Sequence, residues 1–106
     1  MLEESFDWRG DERVRWSRRG SGPPVVFCHG TPWSSALWAR IADALSADFT
    51  VYLWDMTGYG ASTMADGQDV SLAAQGALFA ELLGHWDLAD PHVVAHDYGE
   101  IGRAHV

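Results

Sequence analysis

Apolar and polar side chains alternate near the start of the chain. Phe6 and Trp8 face polar neighbours on either side, and so do Val14 and Trp16. A period of two puts such residues on one face of a strand, and Gly10-Asp11 between the two stretches supplies a turn. The pattern predicts a β-hairpin with one buried face. Gly20 to Pro24 (GSGPP) breaks the pattern. Val25 to Cys28 (VVFC) is then apolar without interruption, the mark of a short strand covered on both sides. It runs into the turn-rich stretch HGTPWSS, where Ser34 or Ser35 can cap a helix bearing Leu37, Trp38, Ile41 and Leu45 at helical spacing. TVYLWD, ending at Asp55, is β-branched and aromatic and reads as the next strand. A loop rich in Gly, Ser and Asp follows. Ser71 then caps a second helix whose stripe is Leu72, Leu78, Phe79, Leu82, Leu83 and Trp86. DLADP ends that helix, and HVVA is the last strand.

The order is hairpin, strand, helix, strand, helix, strand. Strands alternating with helices predict an α/β architecture with right-handed crossovers and parallel pairing after the hairpin. No internal repeat, low-complexity stretch or linker divides the 106 residues, a length that suits one small domain.

Composition changes this picture in a few respects. At 47% hydrophobic residues the chain can bury a core. Its net charge is -8, and all seven basic residues are arginine, a bias that fits GC-rich coding. An acidic balance argues against nucleic acid and anionic membrane as partners. No apolar run reaches membrane-spanning length, and the opening MLEESFDWRG lacks a signal-peptide core. The single cysteine, Cys28, has no partner for an internal disulfide, so a cytoplasmic setting is expected, with Cys28 as an inert core thiol. Nothing fixes an oligomeric state.

Candidate chemistry gathers where apolar strands end. In an open parallel sheet these carboxyl ends line the ligand crevice. Here they carry HGTP, DMTGYGAS and HDYG. His92 and His96 lack a third ligand at metal spacing and read as structural. GYGAS lacks the third glycine of a dinucleotide fingerprint, and GSGPP has prolines where a helix should open. Neither a metal nor a nicotinamide cofactor is therefore expected.

On these motifs, from about Phe6 to Gly99, the chain resembles the amino-terminal half of an α/β-hydrolase-fold enzyme. HGTP together with HDYG after a strand most resembles the branch of haloalkane dehalogenases and epoxide hydrolases. The resemblance implies that HDYG is a nucleophile elbow with Asp97 at its apex and Gly99 letting the turn close. Gly-X-Ser-X-Gly is absent. A serine needs a base to take its proton, whereas an aspartate is already ionised at neutral pH. A carboxylate can attack a carbon bearing a halide or an epoxide oxygen, and histidine-activated water then cleaves the alkyl ester. Taken alone, an Asp after a strand is more often the cap of a following helix. HGTP implies an oxyanion loop, with the N–H groups of Thr31 and Tyr98 converging on Asp97; its bland alternative is a plain turn. Gly58, Gly60 and Ser62 shape the family's loop after the next strand, and Trp33 would be a pocket wall.

Thr31 and Tyr98 stand where haloalkane dehalogenases typically have Asn and Trp holding the departing halide. The cap tyrosines of epoxide hydrolases have no counterpart here. The family's acid and histidine follow the elbow at a distance, and His105 is too near to replace that histidine. Residues 1–99 are accordingly read as the amino-terminal part of one domain, with its last apolar strand at an exposed edge, and inactive alone. EIGRAHV, residues 100–106, resembles a common sequencing adapter translated in frame, which implies a non-native tail. Alternative readings are a non-enzymatic α/β binding module, and an ester or carbon–carbon hydrolase of the same fold.

Overall fold

The computed structural model describes residues 2–29, 39–64 and 67–95. Strands β1 (Glu4–Trp8), β2 (Glu12–Arg19) and β3 (Pro24–Cys28) are followed by helix α1 (Ala39–Leu45). Strand β4 (Thr50–Trp54), helix α2 (Leu72–His85) and strand β5 (His92–Ala95) complete the order. The predicted caps Ser34 and Ser35, the helical positions Leu37 and Trp38, and the residues of HGTP after His29 lie outside the described residues. So do Trp33, His96, Asp97, Tyr98, Gly99 and the segment 100–106.

The five strands form one sheet in the order β1-β2-β4-β3-β5. The hairpin is as expected. β1 and β2 pair antiparallel, with Phe6 opposite Val14 and Trp8 opposite Glu12. Arg9 and Gly10 turn the chain with positive φ, 51° and 82°. Trp8, Val14 and Trp16 are buried on the inner face. β3, β4 and β5 are mutually parallel where they pair, and β2 meets β4 antiparallel.

Alternation along β3 and β4 divides the core in two. Val26, Cys28, Tyr52 and Trp54 join Leu78, Phe79, Leu82 and Trp86 of α2's side. Val25, Phe27, Val51 and Leu53 face the other way, against Ala42 and Leu45 of α1. A strand sandwiched between helices has no polar face, which is why VVFC is apolar throughout. The Phe79 ring stacks on Trp54 at 5.5 Å between centroids, and burial of such a ring stabilises by roughly 1.5–3 kcal/mol. Cys28 is fully buried, as its apolar run suggested.

Two stripe assignments need correction. Ile41 is 50% exposed, because Ala42 and Leu45, three apart, take the sheet-facing side of α1. Leu72 is 45% exposed at the first position of α2, and burial along the helix begins at Ala74. In its place the polar Gln75 is buried, its Nε2 donating to the Thr57 carbonyl at 2.9 Å. The other positions predicted for α2 are buried.

Ser71 caps α2 as predicted, its hydroxyl oxygen accepting from the Ala74 N–H at 3.2 Å. Asp69 steadies that cap by accepting from the Ser71 N–H at 3.0 Å, and pairs with Arg9 at 3.0 Å. Hydrogen bonds from the Ser71 hydroxyl and backbone, with a smaller contribution from Arg9, hold the Asp69 carboxyl below its ordinary value. A depressed folded-state value means the carboxylate favours the folded state above the unfolded value of 3.8, and the effect fades as pH falls through the folded one. The unfolding midpoint in urea should drop below about pH 4, and Asp69→Asn should flatten that part of the profile. An unchanged profile in the variant would assign the acid sensitivity to other carboxylates.

Among the described residues, β5 has one strand partner, β3, and Val94 is 37% exposed on its outer side. No described helix is long and apolar enough to cross a membrane.

Candidate active site

The carboxyl ends of β3, β4 and β5 lie side by side. Cys28 is the register partner of Ala95, and Phe27 that of Leu53. Strands distant in the chain are thereby adjacent at the edge where HGTP, DMTGYGAS and HDYG begin. The chain leaving β3 goes to α1 on one face, and that leaving β4 goes to α2 on the other. In parallel sheets with helices on opposite faces, ligands usually bind outside the carboxyl ends of the strands.

Of the sequence-predicted site residues, Asp97, Thr31 and Tyr98 lie outside the described residues. The surrounding frame is described in detail. Asp55, directly after β4, is buried. Its Oδ2 accepts from the Ala61 N–H at 2.8 Å, and its carbonyl accepts from the Ser62 hydroxyl at 2.6 Å. The Ser62 oxygen accepts in turn from the Arg15 N–H at 3.0 Å, and the Asp55 N–H donates to the Arg15 carbonyl at 3.0 Å. This closed ring of bonds fixes the GYGAS loop against β2.

Glycine is required inside that ring. Gly60 has φ +55°, and a Cβ there would lie 2.2 Å from Asp55 Oδ2. Gly58 has φ +85°, and a Cβ would lie 2.5 Å from the Val70 side chain. Each of the three residues thus shapes the turn by its own contact: Gly60 leaves room for the Asp55 carboxyl group, Gly58 for Val70, and Ser62 bonds the Asp55 carbonyl.

A second polar group ties the loop to the hairpin. Glu12 Oε1 accepts from the Thr57 hydroxyl and from Gln68 Nε2, the latter at 2.7 Å. Gln68 Nε2 is also 2.9 Å from the Thr63 carbonyl. Glu12 and Gln68 carry no motif, and Thr57, although it lies within DMTGYGAS, has no role that the sequence predicts. Gln75 could have been noticed as the one amide inside an apolar helical stripe.

The remaining described residue of HGTP is His29. It is fully buried, and its Nε2 accepts from the Met56 backbone N–H at 2.8 Å. Its ring meets Tyr59 edge-on at 5.8 Å and lies 6.4 Å from the Trp54 ring. These contacts fix the His29 ring against the loop that follows β4. His92, in contrast, is exposed on β5. No group of three or more potential metal ligands occurs among the described residues.

The match to known proteins agrees with this geometry. A family model described as alpha/beta hydrolase fold matches residues 23–99. The fluoroacetate dehalogenase of a Burkholderia species is 33% identical over 104 residues, 91% of this chain and 34% of that protein. The pimeloyl-[acyl-carrier protein] methyl ester esterase of Vibrio atlanticus is 41% identical over 64 residues, 60% of this chain and 25% of that protein. An α/β hydrolase fold protein from Burkholderia ambifaria has a solved structure with TM-score 0.89 and 46% identity, covering 93% of this chain and 36% of that one. Proteins named epoxide hydrolase and haloalkane dehalogenase also match. The chain therefore spans about a quarter to a third of the length of the relatives it matches. With its strand order, its glycine-wrapped loop after β4 and a match over most of its length, this chain belongs to the α/β-hydrolase fold family, whose relatives here are hydrolases.

Proposed function

We propose that this chain supplies the nucleophile-bearing part of a hydrolase acting at saturated carbon in small organic molecules, of haloalkane or epoxide type. Asp97 is the nucleophile, and the backbone N–H groups of Thr31 and Tyr98 stabilise the oxyanion. The observation that carries this reading is the parallel register of Cys28 with Ala95. Neighbouring strands run about 4.8 Å apart. Thr31 comes three residues after Cys28 and Asp97 two after Ala95, so both depart from one point on the sheet edge.

The chemistry follows from a carboxylate at the elbow. One Asp97 oxygen attacks the substrate carbon. The carbon–halogen bond breaks and halide leaves with the electron pair, or an epoxide C–O bond breaks and its oxygen takes a proton from an acid. An alkyl ester of Asp97 results. Water, losing its proton to a histidine beyond this segment, adds to the Asp97 carboxyl carbon. Negative charge then grows on the ester's carbonyl oxygen, where one oxyanion donor contributes about 3 kcal/mol. Collapse breaks the bond to the alkyl oxygen, which takes the histidine's proton and leaves as the alcohol; the carboxyl group, now holding one oxygen from water, releases its own proton and is a carboxylate again.

The esterase relative favours a second reading, cleavage of esters. The elbow residue weighs against it. A carboxylate adding to an ester carbonyl forms an adduct from which the carboxylate, a better leaving group than an alkoxide, departs again. Attack at a saturated carbon has no such reversal.

The experiment uses the complete enzyme carrying this segment, quenched early in its reaction with 1-bromopropane or styrene oxide. Peptide mass spectrometry should find the adduct on Asp97 and none in Asp97→Asn. An adduct on another residue, or esterase turnover surviving Asp97→Asn, would refute the assignment.

A further inference from the structure

We propose that His29 is a positioning residue that ties the root of the oxyanion loop to the loop after β4. The inference rests on the reading of Thr31 as an oxyanion donor, and deepens it. The ladder between β3 and β4 stops at Phe27 and Leu53. Among the described residues no ladder pair joins the two strands beyond that point. His29 continues the pairing by a different bond. Its side chain reaches the backbone of Met56, two residues past β4, and accepts that N–H at 2.8 Å. Met56 is itself buried, and the loop it opens is closed on Asp55 by Ala61 and Ser62. The anchor at the far end is therefore rigid. Thr31 is only two residues from the clamp.

The bond also fixes the imidazole's state. A backbone N–H can only donate, so Nε2 must present its lone pair and the ring proton resides on Nδ1. A neutral, buried, edge-packed imidazole is a poor participant in proton transfer but a good strut. Its effect should appear in one chemical step. Ester formation needs the carboxylate and the substrate, whereas ester hydrolysis also needs the oxyanion donors. Misplacing a catalytic group by about 1 Å can cost on the order of 100-fold.

Rapid-quench mass spectrometry on the complete enzyme with 1-bromopropane resolves the two steps. In His29→Leu the Asp97 ester should accumulate, its hydrolysis slowed about 10- to 100-fold. Its formation should change by less than about threefold. His29→Asn, whose amide ends nearer the backbone, should behave likewise and gives a polar variant should leucine impair folding. His29→Gln, whose amide oxygen reaches nearer the Nε2 position, should restore most of the hydrolysis rate. Equal loss in both steps, or hydrolysis at the original rate in His29→Asn, would overturn the positioning role. Absence of any Asp97 ester in the unmutated enzyme would instead remove the nucleophile reading beneath it.

Discussion

Replacing Asp97 by asparagine should lower turnover of haloalkane or epoxide substrates by about 10⁴-fold or more, with the protein still folded. The amide is nearly the same shape as the carboxylate, so substrate binding should survive. It lacks the negative charge, and its oxygen would become cationic on alkylation. The first step is then lost rather than slowed, and no ester forms for water to cleave. Loss of a nucleophile that acts as one unit with its base and oxyanion donors leaves only residual rate from binding and electrostatics. Steady-state kinetics with halide release as the readout checks this. Turnover within tenfold of the unmutated enzyme would mean that another group performs the attack, and that Asp97 does no more than cap a helix.

The second large effect is on stability. Gly60→Ala should destabilise the fold by about 2–4 kcal/mol, combining left-handed backbone strain with the loss of a buried hydrogen bond. The added methyl would sit 2.2 Å from Asp55 Oδ2 and 2.5 Å from its carboxyl carbon. Asp55 is only 3% exposed, and its side chain is too short to move aside without losing the Ala61 N–H. Displacing it would leave a buried polar group less satisfied. Urea unfolding measures the change. Asp55→Asn offers an internal comparison: its amide oxygen can still accept from Ala61, so its cost should be smaller than that of Gly60→Ala. Equal stability of Gly60→Ala and the unmutated chain would mean that the loop can relax around Asp55.

What could be read from the amino-acid sequence was whatever depends on period and local chemistry. Alternation gave the hairpin face, the unbroken VVFC run gave a doubly covered strand, and Ser71 announced the start of α2. Side-chain direction was harder. Ile41 and Leu72 fit an apolar stripe by spacing, yet both are exposed, because each helix offers more apolar positions than the sheet can cover. The register of β3 with β5 could be expected only from resemblance, since the paired residues lie 67 positions apart, as Cys28 and Ala95 do. The Asp55 ring and the Glu12–Thr57–Gln68 group were not legible. Their bonds join three separate segments, and nothing within any one segment marks them. His29 was visible as a motif residue but not as an acceptor, because its partner is a backbone amide 27 residues away.

If the paired ends of β3 and β5 present backbone N–H groups to the Asp97 carboxyl group, water attacks that carboxyl carbon and not the substrate carbon. Single turnover in ¹⁸O-enriched water, with enzyme in excess over a haloalkane, tests this most directly. The heavy oxygen should appear in the Asp97 carboxylate while the alcohol released keeps ordinary oxygen. Heavy oxygen in the alcohol, with an unlabelled Asp97, would contradict it.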